Sequence, residues 1–143
     1  MNQNNFEFEL DVTPFSYCRV RFNCETKKGY NNSTYYNQKR SLGFRLKYLI
    51  NHHNYDIKAN LHKPVEISIV FNCMPPVALI RKKTEPWREA YNKTKPDLDN
   101  YIKAVLDSAN GILYVDDCQI VKLTAEKKYD LVPSIIINIK YLT

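Results

Sequence analysis

The chain has 143 residues, 44% hydrophobic and 25% charged, with a net charge of +6 and a pI near 9.1. That size fits one domain able to bury about two-thirds of its unfolded surface without staples. The absence of any run of about eighteen apolar residues excludes a membrane-spanning helix. The polar, acidic start MNQNNFEFELD does not read as a secretory signal, so the expected location is the cytoplasm.

FEFELDV (6–12) alternates apolar and acidic residues, as a half-buried strand does, and Pro14 ends it. YCRVRFN (17–23) alternates again and predicts a second strand or extended arm. KKGYNNST reads as a polar loop. A helix is expected from Ser33 or Thr34, both good caps, to about Asn51, with Tyr35, Leu42, Leu46 and Leu49 inward. Gly43 argues against it, because glycine weakens a helix interior.

PVEISIVFNCM (64–74) predicts a strand with Val65, Ile67, Ile69 and Phe71 on one face, stopped by Pro75 and Pro76. The next twenty residues read as a functional or mobile loop. They carry Arg81, Lys82, Lys83, Trp87, Arg88, Lys93 and Lys95. A helix follows, opened by Pro96 or Asp97 and closed by Gly111, with Leu98, Ile102, Val105, Leu106 and Ala109 on one side. ILYV (112–115) is expected as a short strand and Asp116-Asp117 as a turn. QIVKLTAEKKY (119–129) predicts a longer strand with Val121, Leu123 and Ala125 on one face. SIIINIKYL, after Pro133, predicts the last. The order implies a mixed α/β or α+β domain around one sheet.

The cysteines, 18, 24, 73 and 118, form no C-x-x-C pair and lie far from any histidine pattern. They read as packing residues rather than zinc ligands or disulfides.

Charge is unevenly spread. Arg19 to Lys47 holds eight Lys/Arg and one acid, and Arg81 to Lys95 holds six and two. Between Asp97 and Asp117 lie five of the chain's fifteen carboxylates and a single lysine. Each basic run taken alone is an ordinary solvated face. Around a carboxylate cluster, the two read as a phosphate-binding surface.

Asp99, Lys103 and Asp107 follow i, i+4, i+8 and stack along one helix stripe. Asp97 stands at the helix start, where negative charge is favoured. Asp116 and Asp117 return after a short connection, and one or both are expected beside that start. Converging carboxylates make a hard-oxygen site suited to Mg²⁺ or Mn²⁺. Such an ion supports phosphodiester cleavage, and Lys103 is placed to stabilise the growing charge. Plainer readings stand beside this one. Asp97 as an N-cap, Asp99–Lys103 as a surface ion pair, Asp107 as a partner of Lys103, and Asp116-Asp117 as a turn all fit the same spacing.

KPDLDN, IKAVLDSANG, YVDDCQIV and the closing K-K-Y, from Lys95 to Tyr129, resemble the RusA family of Holliday-junction endonucleases. The resemblance implies a single domain with one mixed sheet flanked by helices, assembled as a homodimer. It implies Mg²⁺-dependent cleavage of four-way DNA junctions by paired symmetric nicks, in the cytoplasm of a bacterial host cell, and a phage or prophage origin. It marks Asp97, Asp99 and Asp117 as the essential carboxylates, with Lys103 also needed and Asp116 as a further ligand or supporting group. Lys82, Lys83, Trp87, Arg88, Lys93, Lys95 and Lys127 are the expected DNA contacts. Trp87 would stack on an unpaired base or simply anchor its loop. Two other functions fit the same residues: a DNA-binding accessory protein without catalysis, and a nuclease for flaps or forks.

Overall fold

The computed structural model describes residues 4–19, 21–26, 28–30, 33–81 and 90–143. Among the described residues there are six strands, β1 (Asn5–Leu10), β2 (Arg21–Asn23), β3 (Lys28–Tyr30), β4 (Val65–Cys73), β5 (Ile120–Tyr129) and β6 (Ser134–Tyr141). The helices are α1 (Ser33–His52), the single turn α2 (Val77–Ile80) and α3 (Leu98–Ala109). The main sheet has the order β1-β6-β4-β5, and β2 and β3 form a separate ribbon.

Three strands are written in period two. In β1, Phe6, Phe8 and Leu10 are buried while their neighbours are exposed. In β4 and β6, Val65, Ile67, Ile69, Phe71, Ile135, Ile137 and Ile139 all point into the core. β6 runs antiparallel to both β1 and β4. β4 and β5 are parallel, so the chain must cross over between them, and α3 makes that crossover. α1 and α3 cover the buried face, with Leu42, Leu46, Ala104, Val105 and Ala109 at most 1% exposed.

Gly43 lies inside α1 despite its low helix propensity, for a steric reason. A Cβ there would sit 3.2 Å from the Ile112 side chain and 3.5 Å from the Ser108 carbonyl oxygen. Glycine lets α1 pass close to the end of α3.

Three expectations need correction. The second strand is confined to residues 21–23, and the presumed polar loop supplies its antiparallel partner at Lys28–Tyr30. A three-residue ladder is too short to leave a readable alternation. ILYV is no strand: residues 111–113 form a turn, and Tyr114 makes only a single bridge to Asn110. Its apolar character comes from packing, since Leu113 and Tyr114 are fully buried. Finally, Val121, Leu123 and Ala125 do not make one buried face. β5 is an edge strand with a register shift beside Val121, and Val121 and Leu123 are 64% and 42% exposed.

Candidate functional site

The approach to α3 is tied down before its first carboxylate. Asn92 is buried, and its Oδ1 accepts from the Thr94 N–H at 2.9 Å and the Thr94 hydroxyl at 2.6 Å. This is the local turn an Asn side chain favours. From β5, the Lys127 ammonium donates to the Thr94 and Pro96 carbonyls, each at 2.7 Å. The Lys95–Pro96 peptide is cis.

Asp97 then takes the N-cap position with extended backbone, φ −66° and ψ 146°. Its backbone carbonyl accepts from Asn100 and Tyr101, but its side chain caps nothing. The carboxylate instead pairs with Lys95 at 3.1 Å, both side chains being more than half exposed. Asp99 is exposed, with Oδ1 accepting from the Asn100 N–H at 3.0 Å. Both side chains are therefore held by weak, solvent-facing contacts at the positive end of the helix.

Lys103 pairs with Asp107 at 3.1 Å, the expected i,i+4 partner. Two tyrosines frame this pair. The Tyr35 hydroxyl donates to Asp107 Oδ2 at 3.3 Å, and the Lys103 ammonium sits 5.5 Å from the centre of the Tyr17 ring. Tyr17 is anchored in turn by its N–H on the Asn100 carbonyl at 3.0 Å. The hydrogen bond to Asp107 and the charges of Asp107 and Asp117 hold the Lys103 amine above its usual value, against partial burial. Burial first, and then Asp107, push the Tyr35 phenol well up.

The second pair of carboxylates is delivered by a rigid turn. Gly111 adopts φ +78°, and its N–H bonds the Tyr114 carbonyl at 2.8 Å. The Tyr114 hydroxyl donates to the Leu106 carbonyl at 2.7 Å, and Tyr141 donates to the Leu113 carbonyl. The Tyr114 bond pins the turn against the second half of α3, and the Tyr141 bond ties it to β6. The short 3-10 turn Asp117–Gln119 follows. Asp116 and Gln119 form a reciprocal capping box. The Gln119 side chain accepts from the Val115 and Asp116 N–H groups at 2.8 and 2.9 Å. It also donates to the Leu61 and Lys63 carbonyls at 2.7 and 3.0 Å.

The charges of Lys103 and Asp107, on α3, are both felt at the Asp117 carboxyl, so the three lie within electrostatic reach of one another. The Asp116 and Asp117 carboxyls lie close enough to perturb each other through a side-chain hydrogen-bond interaction. That interaction, with burial and the neighbouring charge, raises Asp117 above the usual carboxylate range, while the same interaction and the Cys118 N–H lower Asp116. Two neighbouring carboxyls that repel each other's charge form an oxygen pair whose negative charge a divalent cation can neutralise. The donor chemistry thus suits a hard ion. Among the described residues, no three His, Cys, Asp or Glu side chains are gathered closely enough to hold one as the side chains now stand. Asp97 is turned to Lys95 and Asp99 to its neighbouring N–H.

Of the expected DNA contacts, Lys93 and Lys95 are exposed, while two of the three Lys127 N–H bonds point at backbone carbonyls. Lys82, Lys83, Trp87 and Arg88 lie outside the described residues. Sequence reasoning missed Gln119, although the D-x-x-Q spacing of Asp116 and Gln119 is a capping-box signature. It also missed Tyr17 and the polar role of Tyr35. No local signal marks either, since their partners lie on α3.

The family model for the endodeoxyribonuclease RusA matches residues 11–140. A protein from Bacillus subtilis (strain 168), "Uncharacterized protein YqaN", is 37% identical over 81 residues, 54% of this chain. The match spans 57% of that relative's length. No helix among the described residues is long and apolar enough to cross a membrane. With the family match running from the segment after β1 to the end of β6, through both carboxylate pairs, the chain belongs to the RusA endodeoxyribonuclease family.

Proposed function

We propose that this chain is a metal-dependent endodeoxyribonuclease that resolves four-way DNA junctions by paired nicks. The observation that carries the reading is the family match across a chain whose DLDN and DD carboxylates are all present, with the Lys103 charge felt at Asp117.

In this reading Asp97, Asp99 and Asp117 hold a Mg²⁺ or Mn²⁺ ion, with Asp116 as an additional or supporting ligand. Asp97 and Asp99 need only turn from exposed, weakly held positions, a small cost beside the attraction of a divalent charge. When bound, the ion supplies an activated water and neutralises phosphate charge. Lys103 offers its ammonium to the charge that grows on the reacting phosphate. Asp107 and Tyr17 keep that ammonium oriented and fully protonated. Exposed Lys93 and Lys95 supply phosphate contacts, as do Lys82, Lys83 and Arg88, with Trp87 against a base. Symmetric nicks need two sites related by a two-fold axis, which a homodimer provides.

The test is incubation of the protein with a four-way junction and Mg²⁺, alongside Asp99→Asn. Paired nicks that disappear with EDTA and in the variant support the proposal. A folded wild-type protein that cleaves no branched DNA overturns it. Cleavage confined to flaps or forks changes the substrate and keeps the chemistry. Calorimetric titration with Mn²⁺ separates a purely DNA-binding accessory protein, which shows no binding heat that depends on Asp117.

A further inference from the structure

One face of α1 plays no part in the core or in the carboxylate site. Tyr36, Arg40, Phe44, Lys47 and Tyr48 fall within about a third of the helix circumference and form one stripe. The three rings are 48%, 55% and 64% exposed. Buried packing claims the opposite side of the helix, through Tyr35, Leu42 and Leu46.

The stripe has an internal order. The Arg40 guanidinium lies 5.4 Å and the Lys47 ammonium 5.9 Å from the centre of the Phe44 ring. The Tyr48 ring stacks on His52 at 5.6 Å and 12°. α1 contains no Asp or Glu, and among the described residues no carboxylate pairs with Arg40 or Lys47. Cations held beside open aromatic faces, without counter-charges, suit a ligand that carries both flat rings and negative charge. From Tyr36 to Tyr48 the stripe is about 18 Å long, the length of about five nucleotides at helical spacing.

Position matters as well. A groove between α1 and α3 is lined by Tyr36, Lys39, Phe44 and Lys47 on one side and by Asp107 and Ser108 on the other. Asp107 is the residue that pairs with Lys103. Part of the stripe therefore shares a groove with the ion-pair partner of Lys103. Pairing of this face with itself across a two-fold axis is disfavoured, because it would set Arg40 and Lys47 of both copies together with no carboxylate on either helix.

We propose that the outer face of α1 binds unpaired, single-stranded DNA. Bases stack on Phe44 and Tyr48, and the intervening phosphates lie on Arg40 and Lys47. The inference rests on the reading of the chain as a DNA-acting protein and adds to it a site for the strand that is not base-paired.

Binding is measured in EDTA with a short single-stranded oligonucleotide and with a blunt duplex of the same sequence. Phe44→Ala/Tyr48→Ala is expected to weaken single-strand binding by about tenfold or more, leaving the duplex affinity unchanged. Phe44→Trp, which keeps a ring, retains wild-type affinity and guards against a folding artefact. Arg40→Gln/Lys47→Gln lowers the logarithmic salt slope by about 1.4, the value for two single-strand phosphate contacts. Unchanged single-strand affinity in Phe44→Ala/Tyr48→Ala overturns the inference. So does a loss of self-association in that variant by sedimentation, which would make the face a contact between copies. Junction cleavage by the wild-type protein is scored separately, so absence of nuclease activity and absence of this binding face give different results.

Discussion

Lys127, near the end of β5, donates to the carbonyl of Pro96 at 2.7 Å and so ties the edge of the sheet to the residue before Asp97. A second bond from the same ammonium, to Thr94, makes the contact a clamp. Lys127→Met keeps the stem and removes both bonds. Expected effects are a stability loss of about 1–3 kcal/mol and a fall in the cleavage rate at saturating DNA, with affinity little changed. If Lys127 instead contacts phosphate, the variant weakens binding and lowers the duplex salt slope by about 0.9 at constant melting temperature. Thermal melts and salt-dependent binding together decide between the two.

Gln119 joins the Asp116-Asp117 turn to the segment before β4, accepting two hydrogen bonds from Val115 and Asp116 and donating two to Leu61 and Lys63. Gln119→Ala is expected to cost about 2–3 kcal/mol in urea denaturation, because it leaves partly buried backbone groups without partners. Gln119→Glu keeps the acceptor, loses both donated bonds and adds a charge beside two carboxyls. It should be at least as destabilising as the alanine variant.

Lys103 and Asp107 are partners with unequal roles. Lys103→Met should lower single-turnover junction cleavage by about a hundredfold or more, the scale for losing a positioned charge at a developing oxyanion. Asp107→Asn removes a partly exposed ion pair worth about 1 kcal/mol or less, and should lower cleavage less than tenfold. Equal losses in the two variants would place Asp107 itself in the chemistry.

Gly43 marks the closest approach of α1 to the end of α3. Gly43→Ala gains about 1 kcal/mol of helix propensity but crowds the Ile112 methyl at 3.2 Å. The flexible Ile112 end can shift, so the net change should be within about 1 kcal/mol. Gly43→Val adds bulk against the Ser108 carbonyl and should cost about 1–3 kcal/mol. Thermal denaturation of both variants checks the order.

The sequence by itself determined the elements whose signal is local. Phe6-Phe8-Leu10, Val65 to Cys73 and Ile135 to Tyr141 alternate, so β1, β4 and β6 were legible. α1 was legible from Tyr35, Leu42 and Leu46. The D-L-D and D-D pairs, the intervening lysine and the flanking basic runs marked the candidate site and the family resemblance. Only the tertiary structure decided how those parts meet. The parallel crossover through α3 makes β5 an edge, which leaves Val121 in water although its pattern reads as core. Burial of Leu113 and Tyr114 turns an apparent strand into a packed turn and brings Asp117 within electrostatic reach of Lys103. Lys127, expected as a DNA contact, also donates to two carbonyls of the loop at Thr94 and Pro96, a role no local pattern announces. These outcomes depend on partners distant in sequence, and a side chain's hydrogen bonds and burial are fixed by such partners rather than by its neighbours along the chain.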